Sequence, residues 1–395
     1  MTKSAPLEGI KVLDVSSVLS GPLTTMLLAD LGADVIKVEP PSAPDFTRGT
    51  GQAHNEMTAY FYNTNRGKRA IAVDGRQPLG QKILRQLADE ADVVVQNMRP
   101  GKVTGIGLDP DECMKRNPSL IYASISGYGS DGPMADEPVY DYVIQAVTGM
   151  VDAQQDPNTG ALDLTRHFPA DKITAHAMFE AILAALYARE RHPQSIGQHV
   201  EVSMHEASLA FMWVDSMMQH SIIQEPDGPS IYPAEYYRVY PTTDGAIVIM
   251  PLMTPPAGIC NAIGRPDLAE DATFAELHSE NLHEFQEIIA ERVARWTNEE
   301  ALNAFRAHDV PVGPVIPRDQ LHLHPQAVAR NSVPEHRNNA IGSIRSARPA
   351  WRMSATPEVI NEGAPRFGEH TTQILNELGY DSEEIRGLRD KGVVV

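Results

Sequence analysis

Cysteine is almost missing from this 395-residue chain: Cys113 and Cys260 are the only two, far apart and outside any Cys-x-x-Cys or Cys/His spacing. That excludes a disulfide framework and a structural zinc site, and a reducing, cytoplasmic setting is expected. No run of about 18 apolar residues occurs, and no basic start followed by an apolar run opens the sequence, so neither a membrane span nor a signal peptide is expected. Positive charge is also scarce, with 33 Lys plus Arg against 52 Asp plus Glu and a net charge of -19. A general nucleic-acid or anionic-membrane surface is disfavoured, and any anionic ligand has to find a local basic pocket. Gly-x-Ser-x-Gly and His-Glu-x-x-His do not occur, which removes sequence support for serine-hydrolase and zinc-hydrolase chemistry. His322 and His324 stand beside Pro325 in an expected loop, where solvated histidines are the ordinary reading. Gly67-Lys68 is followed by Arg69, and Tyr62 stands where a phosphate-binding loop needs its first glycine, so ATP hydrolysis has no support either.

The length and a 42% hydrophobic composition predict a globular protein of two or three domains with a sizeable core. Lys11–Val15 reads as a strand, Pro22–Leu31 as a helix stopped by Gly32, and Asp34–Val38 as a second strand. The alternation continues through strand Arg69–Val73, helix Gln77–Glu90, and strands Asp92–Gln96 and Leu120–Ile125. Such alternation predicts an α/β fold with a mostly parallel, helix-covered sheet. Ala-, Leu- and Met-rich stretches at Asp171–Glu190 and Met204–His220 predict packing helices around a strand Gln198–Ser203. A hairpin is expected from Tyr236–Tyr240 and Ala246–Met250, Leu268–His308 reads as helical, and Asp309–Ala350 reads as loop. These shifts divide the chain into 1–225, 226–330 and 331–395.

Gly127-Tyr-Gly-Ser-Asp-Gly132 matches a dinucleotide fingerprint and follows an expected strand, but no helix follows it, so a plain Gly-rich loop is the stronger reading. Two basic clusters stand out, Arg66-Gly-Lys-Arg69 with Arg76 nearby, and Arg99-Pro-Gly-Lys102. Both fall in loops beside strand ends, where open α/β sheets hold ligands, although loop charge is often merely solvated. Asp171 stands at the start of the Ala-rich helix. There an aspartate serves as an N-cap or, kept ionised by the helix dipole, as a nucleophilic carboxylate, and residue types alone leave both open.

Several stretches together resemble the family III CoA-transferases, which include formyl-CoA transferase, carnitine CoA-transferases and a 2-methylacyl-CoA racemase branch. They are Leu7-Glu-Gly-Ile-Lys-Val-Leu-Asp14 with Gly21-Pro22, Leu31-Gly-Ala-Asp-Val-Ile-Lys-Val-Glu39, Asp45-Phe-Thr-Arg-Gly49, Asn97-Met-Arg-Pro-Gly101, Gly127-Tyr-Gly129, Ala170-Asp171, Gly197-Gln-His-Val-Glu-Val-Ser203 and Pro365-Arg-Phe-Gly-Glu-His370. The resemblance implies a Rossmann-like large domain built from both chain ends, a smaller α+β domain between them, and an interlocked ring homodimer. It implies a CoA-transferase with acyl-CoA and a carboxylic acid as substrates and no tightly bound cofactor. By the same resemblance Asp171 is the catalytic nucleophile, passing through a mixed anhydride and an aspartyl-CoA thioester. Leu19 and Ser20 would touch CoA near the thioester, Val73 and Arg76 would lie near the adenine, and Asn97, Met98 and Arg99 would hold pantetheine and phosphate. Tyr140 and Asp141 match an aromatic-acidic pair beside the site. Pro40 and Gly105 stand where relatives carry cations, so Lys68, Arg69 or Lys102 are the expected substitutes. Glycine-loop amides within Gly127–Gly132 are the candidate oxyanion donors.

A racemase would use the same aspartate with a histidine opposite, but Tyr140 stands where that branch has histidine, and a phenol of pKa about 10 is a poor base near neutrality. A non-catalytic CoA-binding protein of the same fold is the third reading. Tyr140, the Phe168–Ala170 turn and Tyr232, Tyr236, Tyr237 and Met250 are expected pocket walls, which would suit a medium or branched acyl group.

Overall fold

The computed structural model describes residues 4–156, 159–224, 236–271, 273–274, 277, 279–338, 340–359 and 363–395. The chain forms two compact units, one from residues 1–212 and 331–395 and one from 213–330. The expected boundary at 225–226 lies outside the described residues.

The first unit opens with strand β1 (Lys11–Asp14), helix α1 (Ser20–Asp30), β2 (Asp34–Glu39), the short pair β3 (Ala53–His54) and β4 (Met57–Thr58), and helix α2 (Ala59–Asn65). It continues through β5 (Lys68–Ala72), α3 (Pro78–Glu90), β6 (Val93–Gln96), α4 (Pro110–Arg116), β7 (Ile121–Ser126), α5 (Asp141–Val147), α6 (Pro169–Arg191), β8 (Gln198–Ser203) and α7 (Met204–Trp213). The six longer strands form one parallel sheet in the order β5-β2-β1-β6-β7-β8. Counted among themselves they run 3-2-1-4-5-6, the doubly wound order, whose ligand crevice opens where β1 and β6 part company.

Alternation along each strand sends neighbouring side chains to opposite faces. Leu13, Val94 and Tyr122 pack against Ile83, Leu84 and Leu87 of α3, while Val12, Val93, Val95 and Ile121 pack under Met26–Leu28 of α1 and Met178, Phe179 and Ile182 of α6. Both faces are therefore covered, which is why these strands read as continuous apolar runs. Helix α1 is buried nearly all round, with its polar residues Ser20, Thr24, Thr25 and Asp30 buried too. Gly21 lets it start hard against the β1 turn: a Cβ there would meet the Ser16 Cβ at 2.3 Å.

In the second unit, β9 (Val239–Pro241), β10 (Ala246–Val248) and, after helices α8 (Pro256–Ala262), α9 (Asp267–Glu270), α10 (Ser279–Val293) and α11 (Asn298–Arg306), β11 (Gly313–Pro314) make a small antiparallel sheet. Tyr240, Ile247, Phe285, Ile289 and Phe305 form its core, and helix α12 (Pro325–Arg330) ends the unit. The chain then returns to the first unit with the hairpin β12 (Glu335–Asn338) and β13 (Gly342–Arg345), inside a stretch that reads as loop, and helices α13 (Thr371–Glu377) and α14 (Ser382–Asp390).

Candidate active site

Two clefts adjoin at the carboxyl ends of the central strands. One, of about 330 Å³, is lined by Val15, Val38, Pro40, Val73, Gly75 and Ile106. The other, of about 250 Å³, runs from Arg99 along Leu19, Gly127 and Tyr140 to Asp171. Ser17, Asn97 and Met98 line both and form the ridge between them.

Asp171 lies in the first turn of α6, whose N-cap is Phe168, so the aspartate is not the cap expected from its position. Its own amide is satisfied from outside the helix: the N–H donates to Asp141 Oδ2 at 3.0 Å. Asp141 begins α5, is buried, and takes Gln145 Nε2 on its other oxygen at 2.5 Å. Burial pushes the Asp171 carboxyl up to about 6, the Asp141 charge pushes the same way, and the hydroxyl and amide N–H of Ser20 hold it back. Ser20 is the first residue of α1 and Asp171 is in the first turn of α6, so two helix N-termini face one carboxylate. A carboxylate placed so is anionic at pH 7, poorly solvated and not spent on capping, which suits it for nucleophilic attack.

Sequence reasoning missed Tyr60 on α2. Burial and the charges of Asp171, Asp45 and Asp141 hold its phenol protonated far above the usual range, and its ring stacks on Phe168 at 6.2 Å. Nothing in the spacing of the sequence marks this tyrosine. Gly127 presses the wall together, since a Cβ there would meet Val139 Cγ1 at 2.5 Å. Of the expected oxyanion donors, the Gly129 amide is taken up by Ser126 Oγ at 3.0 Å.

The other expected residues separate into groups. Leu19, Ser20, Arg99 and Tyr140 line the Asp171 cleft, Val73 lines the neighbouring one, and Asn97 and Met98 stand on the ridge. Arg76 is exposed beside Gly75 and is held by Asp74 at 2.9 Å and Ser42 at 3.0 Å. Lys102 is exposed at the start of the 3-10 turn Val103–Ile106. Lys68 and Arg69 are corrections. Lys68 is buried, and its Nζ meets Asp14 at 2.9 Å, the Pro22 carbonyl at 2.9 Å and Asn65 at 2.8 Å, which uses all the donors of an ammonium. Arg69 sits at the amino end of β5, away from the clefts, forked onto Asp34 at 2.6 Å and bonded to Glu377 at 2.7 Å. Asp141 anchors the backbone of Asp171 and does not line either cleft. Of the expected walls from the second unit, Tyr232 lies outside the described residues. No helix among the described residues is long and apolar enough to cross a membrane.

A doubly wound sheet with clefts at its switch point and an ionisable carboxylate at the end of one puts the candidate site where open α/β sheets hold ligands. The sequence model of CoA-transferase family III matches residues 7–371, and the chain belongs to that family. It is 33% identical to the succinate–glutarate CoA-transferase of Agrobacterium fabrum, over 95% of this chain and 96% of that one. It is 32% identical to the human succinyl-CoA:glutarate CoA-transferase, over 100% of this chain and 91% of that one. The crystal structure of a CAIB/BAIF family protein from Brucella suis superposes with a TM-score of 0.82 at 30% identity, covering 95% of this chain and 100% of that one. The protein is therefore a CoA-transferase, an enzyme of acyl-CoA metabolism whose substrates are CoA thioesters.

Proposed function

We propose that the enzyme moves CoA from an acyl-CoA to a free carboxylic acid through covalent intermediates on Asp171. The observation that carries this is the Asp171 carboxylate itself, half-buried at the cleft end, ionised at neutral pH and free of a capping duty. An Asp171 oxygen attacks the thioester carbonyl, the tetrahedral oxyanion collapses, the C–S bond breaks and CoA thiolate leaves, giving a mixed anhydride. The thiolate then attacks the aspartyl carbonyl, expelling the donor acid as its carboxylate and leaving an aspartyl-CoA thioester. The acceptor carboxylate repeats these steps in reverse order and restores Asp171. One thioester is exchanged for another, so no nucleotide hydrolysis is needed, in keeping with the missing phosphate-binding loop. Ser20 N–H is the donor best placed to meet oxyanions formed at this carboxyl.

The long CoA chain fits two adjoining clefts: nucleotide over Val73 and Gly75 with Arg76 and Lys102 outside, pantetheine across Asn97 and Met98, and thioester between Leu19 and Asp171. The interlocked homodimer belongs to the same reading and is checked by sedimentation. Succinyl-CoA with glutarate, taken from the relatives, is the first pair to test. Branched and medium-chain acids follow, since Val139, Met204 and Ile125 make much of the inner wall apolar. The test uses 18O-carboxylate acceptor in D2O with wild type and Asp171→Asn. A new acyl-CoA with one 18O passed to Asp171 establishes the mechanism. Transfer that survives Asp171→Asn, or deuterium at the α-carbon of an unchanged thioester, overturns it.

A further inference from the structure

The turn after β1 is held residue by residue by side chains from three other places. Ser16 donates its N–H to Asp14 Oδ1 at 3.0 Å, and its carbonyl takes Lys37 Nζ at 2.9 Å. Ser17 is gripped on both sides by the Asn97 amide, at 2.9 and 2.8 Å. Val18 donates its N–H between the two oxygens of Asp45, at 3.3 and 3.2 Å. Asp45 is itself fixed by Thr47 at 2.7 Å and by the fully buried Lys37 at 2.9 Å. Immediately beyond comes Leu19, whose carbonyl accepts the Leu23 N–H at 2.8 Å, and then Ser20 at the head of α1.

Val18 has φ +71, a left-handed conformation that a β-branched residue avoids. Backbone strain of this kind persists only where the surroundings over-determine it, and it gathers at functional sites. Left to itself, a valine would return to negative φ and swing the following amides away from Asp171. We propose that Asp45, backed by Lys37, is a positioning residue that keeps Val18 left-handed and so presents the Ser20 donors to Asp171. The ion pair then has a directional role, consistent with buried pairs being weak contributors to stability. Capping of the 3-10 turn Phe46–Gly49 by Asp45 is the competing explanation, and it involves no link to Asp171.

This inference rests on Asp171 as nucleophile, so Asp171→Asn is measured first and judged alone. The positioning variants are Asp45→Asn, Val18→Pro, Val18→Gly and the pair Asp45→Asn with Val18→Gly. Proline cannot adopt the left-handed φ and lacks the N–H, whereas glycine adopts it without strain. Asp45→Asn and Val18→Pro are expected to lower kcat about tenfold or more, with KM for the acyl-CoA changed far less. Adding Val18→Gly to Asp45→Asn is expected to recover several-fold of that loss.

The acid limb of kcat/KM supplies a second readout. With the Ser20 donors displaced, it moves to higher pH; simple removal of a negative charge would move it lower. The other titratable and charged groups around Asp171 stay in place: Asp141 from α5, Tyr60 from α2, Arg99 and Glu137 along the cleft, Lys172 on its own helix and His167 just before that helix. If Asp45→Asn does not fold, Val18→Pro against Val18→Gly decides the matter, with loss in the first and retention in the second. Full kcat in Asp45→Asn or Val18→Pro, no rescue by glycine, or an acid limb that stays or falls overturns the proposal while leaving the Asp171 mechanism standing.

Discussion

The amide N–H of Asp171 donates to the buried carboxylate of Asp141 at 3.0 Å, so one acid holds the backbone of another and at the same time raises its carboxyl. Asp141→Asn keeps an oxygen for that N–H and removes the charge. The nucleophile has to be ionised, so activity falls as pH drops through the Asp171 value of about 6. Without the Asp141 charge that value falls, and the acid limb of kcat/KM is expected below 6. A pH profile of wild type and variant checks it, and an unmoved limb would mean that the two acids are coupled through geometry alone.

Asp171 also weighs on the fold. Its carboxyl is raised from the usual 3.8 to about 6, so the charged form is the one the native state disfavours. The contribution of Asp171 to stability is therefore most favourable below 3.8, declines as pH rises from there through 6, and stays low above it. Asp171→Asn removes the charge and is expected to unfold at higher denaturant at pH 7, by roughly 1–3 kcal/mol. The advantage should shrink as both proteins are brought toward pH 4, which urea titrations at two pH values will show.

Asp14 behaves in the opposite way. It is fully buried against Lys68, and its carboxyl is held far below its usual 3.8 against strong desolvation, by Lys68 and then Lys37. The stabilisation Asp14 supplies is complete above its usual value and drains away as pH falls below it. Lys68→Met strips a buried carboxylate of its partner and is expected to cost about 3–5 kcal/mol. Asp14→Leu combined with Lys68→Met should return much of that loss in urea midpoints, because neither member of the pair is then left as a buried charge without its partner, while Lys37 keeps Asp45.

The frame was legible because its central strands are buried on both sides and its helices lie between the strands in chain order. The sequence reading of Lys11–Val15, Asp34–Val38 and Gln198–Ser203 matches strands Lys11–Asp14, Asp34–Glu39 and Gln198–Ser203. Helix α5 and the hairpin of β12 and β13 went unread, being short and half polar. Met204–His220 was expected as one helix, whereas α7 stops at Trp213. Within the site, position in the chain marked Asp171 and Arg99, whereas Asn97 came only from the family resemblance. What the sequence could not show is where cations are spent: Lys68 and Arg69 are adjacent, yet alternation sends one into the core onto Asp14 and the other onto Asp34 at the sheet's amino end. Tyr60 and Asp45 reach the site through tertiary packing that leaves no local pattern.

Strand β5 is an edge of the sheet, and its outer side is closed by residues made about 300 positions later in synthesis. His370 and Thr371 bond to Ala70 and Ala72, Gly67 N–H donates to the Gly363 carbonyl at 2.7 Å, and Val394 bridges to Val73. A ribosome therefore releases the 213–330 unit with all of its own sequence present while the sheet under the Asp171 helix still has an open flank. Such long-range closure is slow and leaves an adhesive edge exposed in the meantime. Until residues 363–395 are made, β5 offers that unpaired side to other chains, and the folded chain closes it.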